Sequence, residues 1–409
     1  MQIFGEHDQA TLAQFRDVAS RANRAALMAD GHVGYVMPIG GVAAYDDKVS
    51  VVGVGFDIAC GNAAIRTNRL LPEFGETETE RSVRLGALAD EIQSTISFGI
   101  GRRNRADDAP TDHPLFADEA WEAVPRPERS SLRDKARSQL GTVGSGNHYV
   151  DVFADEANRI WVGVHFGSRG FGHTVASAFL SLSQGGKWGA RAPEKEVLLE
   201  LGRPLGHDYW ALMTLAGRYA YAGREWVARK VVSLLDAREE DLVHNHHNFA
   251  WKERHGGDEL VVVRKGATPA FPGQRGFIGG SMGDDAVIVE GVDTRRQVAP
   301  EIHDLQRRAL FSTVHGAGRV MSRTQAAGKI DRRTGKVRQP GAVSPQMMRE
   351  WVGRQGVILR GGGTDESPHV YRRLPDVLEH QRGTIRILHT LRPLVVVMAG
   401  ANEFDPYKD

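Results

Sequence analysis

The stretch Ser312-Thr313-Val314-His315-Gly316-Ala317-Gly318-Arg319, followed by Val320-Met321-Ser322-Arg323, carries residue types that could do chemistry on phosphate. Gly316 and Gly318 keep bulk away from the histidine backbone. Arg319 and Arg323 offer planar forks that match phosphate oxygens. His315 could serve as a metal ligand, a base or a nucleophile. Other stretches supply metal-ligand types. Phe56-Asp57-Ile58-Ala59-Cys60-Gly61-Asn62 brings one hard and one soft donor together, a pairing that suits manganese, zinc or iron better than magnesium. Gly146-Asn147-His148 follows a glycine-rich run, and His165-Phe166-Gly167-Ser168-Arg169-Gly170 opens another. Val243-His244-Asn245-His246-His247-Asn248 holds three histidines in four residues, a density that favours metal binding. If that segment is extended, His244 and His246 share a face and His247 takes the other, and spacing does not say which one binds. Taken singly, Asp57 suits a turn and Cys60 a core position.

Positioning such groups requires strands that end beside glycine loops. The spacing predicts an amphipathic helix over 9–28, running into Asp30-Gly31-His32. A buried strand is expected over 49–55, a helix over 80–95, and an exposed acidic, proline-rich connection over 107–129. Strands are expected at 148–152, 160–164, 260–264 and 393–398, and the longest helix at 208–235. No helical pattern follows the glycines at 141–146, which excludes a dinucleotide fingerprint there. Lys265 stands in Lys265-Gly266-Ala267-Thr268-Pro269, and Gly279-Gly280-Ser281-Met282-Gly283 offers free backbone donors for a phosphate nest. A basic stretch from Arg323 to Arg338, including Arg332, Arg333 and Lys336, suits either a solvated loop or a nucleic-acid backbone.

The 409 residues carry 52 Lys and Arg against 51 Asp and Glu, so any nucleic-acid site must be a local groove and not a global field. One cysteine excludes an internal disulfide framework. Neither a signal peptide nor a membrane-length apolar run is visible, so the expected location is cytoplasmic, away from membranes. With no internal repeat or linker, one integrated domain over 1–409 is expected, with 401–409 as a tail.

Taken in order, the Asp57–Cys60, Asn147–His148, His165–Arg169, His247–Asn248, Arg264–Thr268, Gly280–Gly283 and His315–Arg319 motifs resemble the motif series of the RtcB family of RNA ligases. The resemblance spans about Asp30 to Gly400. It implies an α+β fold, a single large domain of mixed sheets around a metal-centred cleft flanked by helices. It also implies a ligase that uses two manganese ions and GTP to join an RNA 3′-phosphate or 2′,3′-cyclic phosphate to a 5′-hydroxyl in RNA repair or tRNA splicing. A protein activator is among the partners it allows. In that series His315 corresponds to the histidine that becomes guanylylated, and Asp30 to a residue that helps activate the 5′-hydroxyl. Asp57, Cys60, His148, His165 and His247 correspond to the metal ligands. Asn147, His148, Asp151, Asn248, Gly280, Ser281, Met282, Gly316, Ala317, Gly318 and Tyr371 correspond to the nucleotide pocket, with Tyr371 stacked on guanine. Arg169, Lys265, Arg319 and Arg323 suit RNA phosphates. The chain departs from the family at Ala399, where a lysine is usual, at Asp151 for glutamate, at Ala286 near a lost serine, and at Gly223 for asparagine. Those departures point to a divergent branch in which guanine selectivity is weakened. Two further readings are a catalyst with relaxed nucleotide choice and a metal-dependent RNA-end phosphoesterase.

Overall fold

The computed structural model describes residues 1–293, 300–330, 337–401 and 403, so Arg332, Arg333, Lys336 and all but two residues of the 401–409 tail lie outside the described residues. The architecture is α+β, with mixed sheets flanked by helices. The larger sheet runs in the order Arg275–Ile278, Ala286–Gly291, Ile385–Gly400, Tyr149–Ala154, Arg159–Phe166, Gly61–Leu70, Glu239–His246, with Ile358–Gly362 added in parallel to Ile385–Gly400. Its first and last strands approach each other. Phe277 donates its backbone N–H to Asn245 Oδ1 at 3.0 Å, and Arg275 pairs with Asp241 at 2.6 Å. The sheet thereby curls almost into a barrel.

Antiparallel order explains why distant motifs meet. Four neighbouring strands alternate in direction, so the starts of two and the ends of two share one edge of the sheet. Cys60 precedes Gly61–Leu70 and His148 precedes Tyr149–Ala154, while His165 nearly ends Arg159–Phe166 and His247 follows Glu239–His246. Register fixes this further, with Gly61 opposite both Phe166 and His246. A side chain at position 61 would stand 2.2 Å from the Asn245 carbonyl, so close strand approach requires glycine.

A second sheet, Gln2–Ile3, Arg24–His32, Ile39–Tyr45, Asp258–Lys265 and Asn248–His255, carries Asp30, Lys265 and Asn248. The two sheets meet at His247, whose N–H reaches the Cys60 carbonyl at 2.8 Å and whose carbonyl accepts from Ala267 at 3.2 Å. Ala267 pairs with Val314, and so His315 arrives beside His247.

Three expectations are corrected. The helix expected over 9–28 spans only Gln9–Ala19, and the apolar run Ala25 to Ala29 is instead part of the buried strand Arg24–His32. Its position inside a sheet overrides the apparent helical period, because short apolar runs fit either state. The strand expected over 49–55 is Lys48–Ser50 followed by the short helix Val51–Val54. Ser50 Oγ accepts from Gly53 N at 2.8 Å there, a cap that outweighs β-branched preference. The expected connection over 107–129 holds two short 3-10 segments that bury Leu115, Phe116 and Trp121. Their apolar spacing fits neither sheet nor helix periods. No described helix is long and apolar enough to cross a membrane.

The long helix Pro204–Leu234 buries Tyr209, Leu212, Leu215, Tyr219 and Val227, and from it Arg224 reaches the strand ends. Fully buried, Arg224 donates to the carbonyls of Ala59 at 2.9 Å and Phe166 at 2.6 Å, and contacts His244 Nε2 at 2.9 Å and His246 Nδ1 at 2.8 Å. The expected division of the three histidines holds, with His244 and His246 turned to Arg224 and His247 turned away. As acceptors for a cation, both imidazoles must be neutral. Burial and the Arg224 charge push His244 down to about 3. An unfolded His244 takes a proton near pH 6.5 and the folded one resists it, so the unfolded chain binds more protons between these values. Stability of the metal-free protein is therefore expected to fall as pH is lowered from about 6.5 towards 3, as read by urea midpoints across that range. Arg224→Met is expected to cost several kcal/mol at neutral pH, because each orphaned buried acceptor costs roughly 1–3 kcal/mol, as read by the same unfolding assay.

Candidate active site

At the shared edge the donor atoms converge. Cys60 Sγ lies 3.3 Å from His165 Nε2 and 3.6 Å from His148 Nε2. His165 Nε2 lies 3.4 Å from His247 Nε2, and His148 Nε2 lies 3.0 Å from Asp57 Oδ2. Two ligand groups result, Cys60–His165–His247 and Asp57–Cys60–His148, each with its donor atoms within 4.8 Å of one another. Cys60 belongs to both. One thiol, three imidazoles and one carboxylate form a donor set suited to borderline divalent cations such as manganese or zinc, so the residues present fit a two-cation centre.

Electrostatics support that fit. Burial drives His165 and His247 well below the ordinary imidazole range, leaving neutral rings with lone pairs for a cation. His165 Nδ1 bonds the Asn147 carbonyl at 3.0 Å, which fixes the ring and directs Nε2 inward. Burial works against the Asp57 carboxylate, but the hydrogen bond and charge of His148 outweigh it and bring its pKa to about 2. Burial and the neighbouring Asp57 push the Cys60 thiol well above its usual range. A bound divalent cation reverses that preference by favouring the thiolate.

His315 stands beside this cluster, its ring centroid 4.8 Å from that of His247. Asp30, wholly buried, accepts through Oδ2 from His315 Nδ1 at 2.6 Å, from His315 N at 3.0 Å and from Gly316 N at 3.4 Å. With Nδ1 carrying the proton towards the carboxylate, Nε2 holds the free lone pair. Two glycines that meet this pair in space do different work. Gly318 has φ +75°, and a Cβ there would stand 2.4 Å from the Asp30 carbonyl oxygen, so it seals the backbone against Asp30. Gly266, at φ +61°, faces His315 Cε1, where a Cβ would lie at 3.1 Å.

The remaining candidates divide by place. Gly279 bridges Gly316, which lays Gly280, Ser281 and Met282 next to the His315 loop. Ser281 Oγ donates to Asp284 Oδ2 at 2.5 Å, and Met282 is buried. Asn248 Oδ1 accepts from Gly266 N at 2.8 Å. Asp151 is buried with Oδ1 lacking a partner among the described residues, and burial raises its carboxyl well above the carboxylate range. Ala317 is buried beneath this loop, and Tyr371 packs against the same apolar cluster. Arg319 Nη1 reaches Tyr371 Oη at 3.1 Å and Glu366 at 3.1 Å, while Arg323 reaches the other Glu366 oxygen at 2.9 Å. Tyr371 also donates its hydroxyl hydrogen to Glu366.

Two further cations are held by internal bonds, and the charge of Arg169 lies close enough to Asp57 to favour its carboxylate. Arg169 donates to the Gly99 carbonyl at 3.1 Å and to Thr142 Oγ1 at 3.3 Å. Lys265 is buried and donates to the Val52 carbonyl at 3.0 Å, and desolvation lowers it to about 8. Sequence reasoning missed Glu366 as the collector of both arginines and Asp284 as the partner of Ser281, while His32 was marked only by its place two residues from Asp30. The His32 Nδ1 lies 3.0 Å from the Asp30 carbonyl, and burial brings that ring to about 4. For Glu366 no local spacing signalled the pairing, since its arginines come from another segment, whereas Ser281 and Asp284 stand three residues apart and the Ser-x-x-Asp spacing is the signal that could have found them.

A family model described as tRNA-splicing ligase RtcB matches residues 11–399. The chain belongs to the RtcB family. It is 31% identical to the tRNA-splicing ligase RtcB of Archaeoglobus fulgidus, with 90% of this chain and 86% of the relative covered. It is 29% identical to the RNA-splicing ligase RtcB of Escherichia coli strain K12, covering 91% and 89%. The RNA-splicing ligase RtcB of Mycobacterium tuberculosis is 31% identical, with 90% and 95% covered. The protein is therefore an enzyme, an RNA ligase of this family.

Because Cys60 serves both ligand groups, Cys60→Ala is expected to abolish tight divalent-cation binding at both, whereas His148→Ala leaves Cys60–His165–His247 and about one equivalent. Equilibrium dialysis against manganese with metal analysis of the retained protein checks this. Equal losses in both variants would contradict the shared-thiol arrangement.

Proposed function

We propose that this protein joins an RNA 3′-phosphate or 2′,3′-cyclic phosphate end to a 5′-hydroxyl end, using GTP and two manganese ions, through a guanylyl group carried on His315. The observation that carries the reading is the buried Asp30–His315 pair beside the cysteine–histidine cluster. Asp30 holds the Nδ1 proton and orients the ring, which makes Nε2 the nucleophilic nitrogen. Asp30 is then a positioning residue for His315, and its burial argues against direct contact with a 5′-hydroxyl.

Nε2 attacks the α-phosphorus of GTP, forming an N–P bond as the bond to the pyrophosphate oxygen breaks and pyrophosphate leaves. An oxygen of the RNA 3′-phosphate next takes the GMP phosphorus, and His315 recovers its lone pair. The 5′-hydroxyl oxygen then attacks the 3′-phosphate phosphorus, loses its proton and expels GMP. A cyclic phosphate end is first opened by water. Manganese, held by Asp57, Cys60, His148, His165 and His247, would neutralise phosphate charge and polarise the phosphorus under attack. Asn147, His148, Asn248, Ser281, Gly280, Met282 and the Gly316–Gly318 loop would line the nucleotide, with Tyr371 against the base. Arg319 and Arg323, gathered by Glu366, would take RNA phosphate, and Arg169 and Lys265 would add to them once their internal bonds are exchanged. The contact between the two sheets at Cys60, His247 and Ala267 supports treating the chain as one domain.

A second reading keeps the chemistry and relaxes the nucleotide. Ala399 is buried with no amine to offer, and the short Asp151 carboxyl favours its neutral form. Incubation with manganese and radiolabelled GTP is expected to yield an acid-labile protein adduct, absent in His315→Ala and reduced by about 10-fold or more in Asp30→Asn. An adduct that persists in His315→Ala would overturn the mechanism. ATP in place of GTP is expected to label detectably if guanine selectivity is weakened, and comparison of the two adduct yields reads this directly.

A further inference from the structure

Two aromatic rings flank the cluster and take no part in the scheme above. Tyr35 lies five residues beyond Asp30, in the loop between Arg24–His32 and Ile39–Tyr45, and Phe56 immediately precedes Asp57. Their rings meet edge to face at 6.0 Å and 90°. The His173 ring lies on another side of Phe56 at 5.7 Å. Lys265 Nζ stands 5.6 Å from the Tyr35 centroid. Tyr35 is 53% exposed and Val33 51% exposed, large apolar surface that folding alone leaves in water.

The loop is nonetheless fastened. Gln14 donates to the carbonyls of Gly34 at 2.9 Å and Tyr35 at 2.8 Å, and accepts from Gly34 N at 3.0 Å. An exposed ring held by backbone bonds costs little to order when a partner arrives. Flat aromatic faces beside a cation are the stacking platforms that single-stranded nucleic acids use, because every base presents a π-face. Adjacency decides the occupant: the residue after Phe56 is a ligand of the phosphate-handling cluster, so an RNA end placed there brings its terminal base to these rings.

We propose that Tyr35, buttressed edge to face by Phe56, forms a stacking seat for the nucleobase of an RNA terminus, setting the position of that end over the Asp57–Cys60 cluster. This rests on the RNA-joining reading above. The seat recognises a base without reading its identity, which accords with stacking in place of edge hydrogen bonds.

The test uses the full chain and short RNAs bearing either a 3′-phosphate or a 5′-hydroxyl end, each with an ordinary or an abasic terminal nucleotide. Anisotropy and steady-state ligation are measured for Tyr35→Ala, Tyr35→Phe and Phe56→Leu. Tyr35→Ala is expected to weaken binding of one of the two ends by about 5- to 150-fold, as loss of one stacked base does, and to raise KM more than it lowers kcat. Tyr35→Phe keeps the ring and is expected to restore binding. Abasic ends are expected to bind unmodified protein and Tyr35→Ala alike, and whichever strand responds identifies the seated end. Formation of the His315 adduct with GTP and no RNA is expected to be unchanged in all three variants. Equal binding of base-ended RNA by Tyr35→Ala, Phe56→Leu and the unmodified protein would overturn the proposal, as would equal weakening on abasic ends. If the unmodified protein forms no adduct at all, the joining chemistry fails instead, and base-dependent binding still judges the seat.

Discussion

Cys60 is the point on which the site depends, because it is the one donor common to both ligand groups. A buried thiol beside a carboxylate is a poor anion when left to itself. Three imbedded imbalances meet here: a thiol that resists ionisation, imidazoles that resist protonation, and a carboxylate kept ionised by His148. Divalent cations resolve all three together, since they favour thiolate, neutral imidazole and carboxylate at once. The polypeptide stabilises the arrangement by placing each donor at a strand end, where backbone pairing sets position before any cation binds.

His315 belongs to a different part of the fold, and the join between the sheets is what brings it to the cluster. The path runs through short backbone contacts, from Cys60 to His247, then to Ala267, then across the pair with Val314. Asp30 completes it from the second sheet. A buried carboxylate with three N–H donors on one oxygen fixes a ring far more tightly than a surface pair would. Gly318 is needed for the same reason, because the loop must pass directly over the Asp30 backbone.

Cations near the site are handled in two ways. Arg224 is surrounded by carbonyls and neutral imidazoles, without a carboxylate among its hydrogen-bond partners in the described residues, and it ties the Cys60, His165 and His247 strand ends into one unit. Its positive charge also lies close enough to favour the Cys60 thiolate. Arg319 and Arg323 instead share Glu366, a carboxylate that holds both guanidinium groups in place. A phosphate entering there would meet an ordered pair of forks, with less side-chain entropy left to lose.

Much of the candidate site was legible in the sequence, because ligand types and glycine loops are local signals. Asp57, Cys60, His148, His165, His247 and His315 are marked by their neighbours, and the motif series alone resembles that of the family. The long helix and most strands also followed from period. Residues 9–28 misled because an alanine-rich apolar run looks alike in a helix and in a buried strand, and only pairing with Ile39–Tyr45 decides. Which of three histidines turns to the cluster, that Asp30 grips His315, and that Glu366 gathers two arginines were settled by tertiary structure alone. Those relations join residues up to 285 positions apart, and a sequence records the identity of such partners without recording that they touch.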